Sequence, residues 1–313
     1  MHNVKLYLES LIDWAAISKK PDLDEQFIAM YADQFDWSLI SVHVKMTEPF
    51  MRRMIDKINW QSITIHQKLS EEFMEEFERQ IEWMVVAKYQ TLSEPFIEKY
   101  YHLLDDKDLL IYQKLSEEFI SANYQQHHNK LIFKHQKVSE HFISMNACSE
   151  DWKTISQYQD LSERFIRHFK NKVHWSVICK YQKLSEKLIE QFQDRVYWTA
   201  VSQYQTLSEK FIETHQQQVN WNWIPLNQDV SEEFLARFKH LIPNRQLSGR
   251  TYLSEEFIRL HQDYLDWSTI SMCQDLTEEF ILEFADKVDW EQIFKNQFLS
   301  HEFKQAQQWR LEI

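Results

Sequence analysis

The sequence predicts an all-α protein, an α/α solenoid of about thirteen 23-residue helix–turn–helix repeats. Three observations predict it. A hexad of the form Leu-Ser-Glu-Glu-Phe-Ile recurs with a step of 23 residues and no insertion or deletion, its first residue falling at Leu23, Met46, Leu69, Leu92, Leu115, Val138, Leu161, Leu184, Leu207, Val230, Leu253, Leu276 and Leu299. A Trp stands nine residues ahead of most of these positions. The 313 residues include one Gly and five Pro, so little interrupts helix. A fixed period between about 20 and 50 residues is the sign of stacked repeats.

Each repeat supplies two helices. The second hexad position is Ser, Thr or Asp throughout, side chains that accept a hydrogen bond from the unpaired amides of a helix start. The third is Glu in twelve of thirteen copies, with His301 in the last, and a carboxylate suits the positive end of the helix dipole. An A helix therefore begins at each hexad. Its apolar positions, such as Leu69, Phe73, Met74, Phe77 and Ile81, share one face. A B helix follows, beginning near Trp14, Trp37, Trp60, Trp83, Trp152, Trp175, Trp198, Trp221, Trp267 and Trp290. It is often opened by Asp or Asn, as at Asp13, Asp36, Asn220 and Asp289, and always carries Ile, Val or Leu three residues after the Trp position. Helices this short do not persist alone in water. Stability has to come from stacking each hairpin on its neighbours, which implies an elongated superhelix.

The unbroken period argues for one array over 1–313, with residues 1–22 as an N-terminal cap, 23–298 as repeats and 299–313 as a C-terminal cap. Val4, Leu8 and Ile12 continue the A-helix pattern backwards without a hexad, and Lys304 and Gln307 replace apolar residues in the last copy. Two stretches depart from the pattern. Across 105–150, Asp106 and Asn129 stand where Trp is expected, and Asn123 and Asn146 where an aromatic is expected. Across 225–252, Pro225, Pro243, Asn244 and Gly249 fall in or beside B-helix positions. They predict an irregular B helix around 244–250 and a bend in the array.

The position two before the hexad is Gln in ten of thirteen repeats, including Gln67, Gln90, Gln182 and Gln297. This predicts a ladder of side-chain amides satisfying backbone groups where B turns into A. His135 occupies the slot of Tyr89, Tyr112, His43 and His66, which assigns it a packing role. His127, His128, His135 and His141 lack metal-binding spacing, so neither a metal nor another cofactor is expected.

The net charge of −13 argues against a general nucleic-acid binder, and the recurring Glu accounts for most of it while leaving a weakly acidic stripe. The odd count of three cysteines, Cys148, Cys179 and Cys273, with no C-x-x-C spacing, points to free thiols in a cytoplasmic setting. The N-terminus lacks an apolar signal core, and no apolar run approaches the roughly 18–20 residues that span a bilayer. A single glycine rules out the Gly-rich phosphate and nucleophile motifs, and the ubiquitous Ser-Glu-Glu carboxylates are uninformative about acid–base chemistry. No catalytic constellation is found and no enzymatic activity is expected. Candidate partner contacts are the basic cluster Arg164, Arg167 and Lys170 with Lys187 and Lys210 in register with Arg164, and the polar patch His127, His128 and Asn129.

The segments Tyr112–Ile120 and Trp175–Glu186 resemble a repeat found in uncharacterised proteins of giant viruses and bacteriophages, and the resemblance covers essentially the whole chain. It implies a helical repeat fold and a viral or phage origin, with a host cytoplasmic location, and carries no activity or site residues. The function expected is a non-enzymatic protein-binding scaffold that sequesters a host or defence protein. The alternative is an acidic mimic that occupies a nucleic-acid-binding protein. The scaffold would need a mixed or apolar exposed patch; the mimic would need free carboxylates spaced like phosphates.

Overall fold

Every hexad from Asp24 onward opens a helix, and the second residue is the reason. Ser70 Oγ accepts the Phe73 N–H at 3.1 Å, and the same bond is made by Ser93, Ser116, Ser139 and their counterparts to Ser300. The computed structural model describes residues 12–311. Within them lie twenty-six α-helices of four to seven residues and no strand. A helices such as Glu71–Glu76 alternate with B helices such as Trp60–His66 and Trp83–Tyr89. The protein is thus an α/α solenoid, its B helices packing on the B helices of the next repeat. Residues 1–11, which include Val4 and Leu8 of the expected N-terminal cap, lie outside the described residues; Ile12 is 39% exposed.

The chain forms two compact units, residues 1–154 and 155–313. In the first, the B helices Trp37–His43, Trp60–His66, Trp83–Tyr89, Asp106–Tyr112 and Asn129–His135 stack in turn. In the second, Trp175–Tyr181, Trp198–Tyr204, Ile224–Asn227, Asn244–Ser248, Trp267–Cys273 and Trp290–Asn296 do the same.

The core is a repeated aromatic cluster. In the most regular repeats the Trp meets both the Phe at the fifth hexad position and the aromatic four residues beyond it; Trp37 and Trp290 meet only the former, and Trp175, followed by Leu188, only the latter. Trp221, Phe234 and Phe238 sit with ring centres 4.7–6.4 Å apart, and Trp267, Phe280 and Phe284 repeat the arrangement. The Trp indole N–H caps the preceding A helix, as in Trp267 Nε1 to the Gln262 carbonyl at 2.9 Å. Beneath these rings the sixth hexad residue and the B-helix aliphatic, for example Ile189 and Ile178, are fully buried. Each large side chain so buried contributes roughly 1.5–3 kcal/mol.

Three polar ladders join successive repeats. The Gln ladder holds as expected. Gln205 Oε1 accepts the Leu184 N–H at 2.8 Å, and its Nε2 donates to the Cys179 and Gln182 carbonyls, both at 2.8 Å. A second ladder uses the small B-helix residue: Ser202 Oγ donates to the Trp198 carbonyl and accepts the Asn220 N–H, each at 2.8 Å. Cys179 takes the same place, its sulfur accepting the Tyr197 N–H at 3.4 Å. The third ladder is the recurring Glu. It completes the cap of the next repeat, as Glu209 accepts the Ser231 N–H at 2.6 Å and Glu163 the Ser185 N–H at 2.7 Å. The hydrogen bond to that amide pulls the Glu209 pKa below its ordinary value.

The two divergent stretches differ in kind. Across 105–150 the loss of Trp coincides with loss of its aromatic partner. Asn123 and Asn146 turn back to their own helices, donating to the Phe119 and Phe142 carbonyls at 3.0 and 2.9 Å. Across 225–252 the helix Asn244–Ser248 is short but regular, against the expected irregularity, because Pro243 stands just ahead of it with φ −60°, where no N–H is needed. Pro225 disturbs more. It cannot donate to the Trp221 carbonyl, so residues 221–223 form a turn and the helix shrinks to Ile224–Asn227. Asn220 therefore caps a turn, its Oδ1 accepting the Asn222 N–H at 3.1 Å. At the C-terminal end Lys304 is exposed, and the Arg310 guanidinium covers Trp290 at 4.5 Å where other repeats use an aromatic.

Candidate interaction surface

Each B helix has seven residues or fewer, so the residue that ends it projects past the stack. This is the slot of His135, and it is a surface position. Tyr89, Tyr112, Tyr158, Tyr181 and Tyr204 are 37–48% exposed there, and His43 and His135 are exposed too. The packing role assigned from the period is corrected: the Ile and the Gln around this slot are buried, and the slot itself faces outward.

In unit 155–313 this slot forms a column at Tyr158, Tyr181 and Tyr204. The Lys180 ammonium lies over both neighbouring rings, 5.1 Å from Tyr181 and 5.2 Å from Tyr204. Those distances put the two ring centres no more than about 10 Å apart, as expected for adjacent helices. Tyr181, and then Tyr204, hold the Lys180 pKa above its ordinary value. The B-helix segments 173–183 and 196–206 contain no carboxylate, in a chain with a net charge of −13. Their outer faces carry donors: Lys180, Lys183, Tyr197 and the column tyrosines are all exposed.

The basic residues singled out from sequence flank this edge. Arg164, Lys187 and Lys210 are exposed at the first turn of successive A helices. Arg167 is committed to the stack, with Nη2 2.8 Å from Glu163 and Nε 3.0 Å from Gln191. Lys170 is exposed, and its carbonyl receives the Trp175 indole and Arg195 at 2.9 and 3.0 Å. The other patch is not brought onto the surface as a group. His127 is exposed and its ring centre lies 3.8 Å from that of His128, which meets Tyr124 at 5.2 Å. Asn129 is 4% exposed and its amide is consumed by the Asn146 carbonyl and Asp151, at 2.9 and 3.0 Å. Asp151 also accepts the Cys148 N–H at 2.9 Å.

A cleft of about 310 Å³ opens further along the same edge, lined by Pro225–Asp229 and Arg250–Tyr252. It lies where Thr251 replaces the ladder Gln. Arg250 Nη2 donates to the Val230 carbonyl, while its Nη1 is buried without a hydrogen-bond partner. Sequence reasoning missed both features; the tyrosine period was visible but its outward direction was not. Among the described residues no group of three or more His, Cys, Asp or Glu could hold a metal ion, and no helix is long and apolar enough to cross a membrane. No family model, curated protein or solved structure matches the chain.

Proposed function

We propose that the protein is a non-enzymatic scaffold that binds another protein along the B-to-A edge of unit 155–313. The observation that carries this reading is the column Tyr158, Tyr181 and Tyr204, in register and exposed, with no carboxylate in the segments 173–183 and 196–206 around Tyr181 and Tyr204. Tyrosine combines a large apolar ring with a hydroxyl at low entropic cost, which favours it at protein interfaces. Arg164, Lys187 and Lys210 beside it supply a polar, positively charged rim. On the viral or phage reading of the hexad, the partner is a host or defence protein.

The acidic-mimic reading is less well supported. A mimic needs free carboxylates, and the recurring Glu have their oxygens turned to the next repeat's cap, as in Glu186 to the Ser208 N–H at 2.5 Å and Glu278 to the Ser300 N–H at 2.6 Å. Direct nucleic-acid binding is disfavoured by the net charge of −13.

Site-specific photocrosslinking tests the proposal. A benzophenone amino acid at Tyr181 or Tyr204 should capture a discrete protein from the native host, whereas one at Leu260, 72% exposed, should not. Equal capture at Leu260, adducts with nucleic acid alone, or no adduct at the two tyrosines would end it.

A further inference from the structure

The cleft at Thr251 is a missing rung of the glutamine ladder. In the preceding repeat Gln228 accepts the Leu207 N–H at 2.9 Å and donates to the Ser202 and Gln205 carbonyls at 2.9 and 2.7 Å. In the following one Gln274 accepts the Leu253 N–H at 2.8 Å and donates to the Ser248 and Arg250 carbonyls. A glutamine at 251 would by the same register take the Val230 N–H and the carbonyls of Pro225 and Gln228. Thr251 is too short to reach them, and none of the three has a hydrogen bond among the described residues. Pro225, Gln228 and Arg250 line the cleft, and the partnerless Arg250 Nη1 adds a further donor.

The ladder is also interrupted at Val44, and there the position is closed: Val44 is 1% exposed and fills the space with hydrocarbon. Thr251 is exposed and leaves it open. The open rung pairs the Arg250 guanidinium, as donor, with the carbonyls of the cleft-lining Pro225 and Gln228, as acceptors; the Val230 N–H belongs to a residue 2% exposed that does not itself line the cleft. Only a group that accepts and donates from one planar head matches both. A carboxylate would meet the Arg250 donor but face two carbonyl oxygens, with Asp229 also on the cleft wall. A primary carboxamide matches all of them, and the neighbouring rungs hold one in this way.

We propose that the cleft bounded by Pro225–Asp229 and Arg250–Tyr252 binds the side-chain carboxamide of a Gln or Asn in an extended segment of a partner polypeptide. The partner thereby completes the ladder in trans. This rests on the scaffold reading above and names the group that the B-to-A edge grips.

The test is a titration of the ¹⁵N-labelled full chain with the peptide Ac-Gly-Gln-Gly-NHMe, whose termini carry no primary amide, and with its Glu and norleucine analogues. The Gln peptide should shift the Val230 amide and the Arg250 side-chain signals saturably, and the analogues should bind about tenfold more weakly or worse, since a site built around hydrogen bonds rejects ligands that lack them. Thr251→Gln should supply the rung in cis and Thr251→Val should plug it as Val44 does; both should abolish the shifts with the spectrum otherwise intact. Tighter binding of the Glu peptide, equal binding of the norleucine peptide, no shift at all, or shifts that survive Thr251→Gln would overturn the assignment. Protein capture at Tyr181 with no Gln-peptide binding would sink this inference alone, whereas failed capture would sink the scaffold reading.

Discussion

If the amide ladder holds successive repeats together, Gln205 is the place to break it. Its side chain is 6% exposed and makes three hydrogen bonds, to the Leu184 N–H and to the Cys179 and Gln182 carbonyls. Each bond contributes about 1 kcal/mol net, and each partner left dry costs at least as much, so Gln205→Met, which keeps the volume, should destabilise by about 3 kcal/mol. Gln205→Glu separates hydrogen bonding from size. At neutral pH its carboxylate can accept from Leu184 but must face two carbonyls, which raises its folded pKa above the unfolded value. A raised carboxyl pKa favours the fold below the unfolded pKa and loses that contribution as pH rises, so the Glu variant should lie nearer to wild type at pH 4 than at pH 7. Repeat arrays open locally, so hydrogen exchange at Leu184 is the assay of choice. A 3 kcal/mol loss accelerates exchange by about 100-fold. A Leu184 amide that exchanges at the wild-type rate in Gln205→Met, or a Glu variant with no pH dependence of its own, would refute the ladder as a source of stability.

Four more outcomes follow from the same geometry. Phe280→Ala should cost about 3–5 kcal/mol in urea denaturation, because its ring is 1% exposed between Trp267 and Phe284, whereas the equivalent Phe27→Ala, at 38% exposed, should cost far less. Burial pushes the Cys179 thiol up to about 11 from an ordinary 9.0, so stability present below pH 9 should decline as pH rises towards 11, and Cys179→Ser should remove that decline while keeping the rung to Tyr197. Thiol titration of the native protein should label Cys148 and Cys273, which are exposed, and spare Cys179. The lowered pKa of Glu209 gives stability above the unfolded carboxyl range that is lost on acidification; Glu209→Gln should therefore lower the melting temperature at pH 7 and flatten its fall towards pH 3.

The fold was legible because its determinants recur on a fixed beat. Ser70, Phe73 and Ile63 each state a local rule, capping or burial, that needs no knowledge of the neighbours. The ladders were half legible. Gln205 was recognisable as a backbone partner, since a polar residue recurring at a tight connection has little else to satisfy. Glu209 was read only as complementing its own helix dipole; its bond to Ser231 lies 22 residues on and exists only once the stacking distance is set. The tyrosine slot was misread because recurrence was equated with burial. Tyr181 follows the buried Ile178 by three residues, yet its B helix ends there and the side chain leaves the stack. The cleft was illegible for a simpler reason. It is defined by what Thr251 lacks, while Pro225 and Gly249 drew attention to the backbone instead.

The two divergent stretches show how drift and function can be told apart in such an array. Around 123–151 the Asn substitutions bring their own compensation, although His128 Nδ1 stays buried without a partner: Asn129 replaces Trp but bonds Asn146 and Asp151, and Asn123 closes on Phe119. These groups serve the fold, and Asn129→Ala should cost about 2 kcal/mol, since it strands a buried carboxylate and a carbonyl. Around 225–252 the substitution is left uncompensated, with Arg250 Nη1 unpartnered and an open cleft. Thr251 is exposed and holds no rung, so Thr251→Ala should change stability by less than about 0.5 kcal/mol. Should the order reverse, with Thr251→Ala the more damaging and Asn129→Ala neutral, then satisfied polar groups would not mark the structural positions. The choice of the cleft over the His127–Asn129 patch as the binding feature would fall with them.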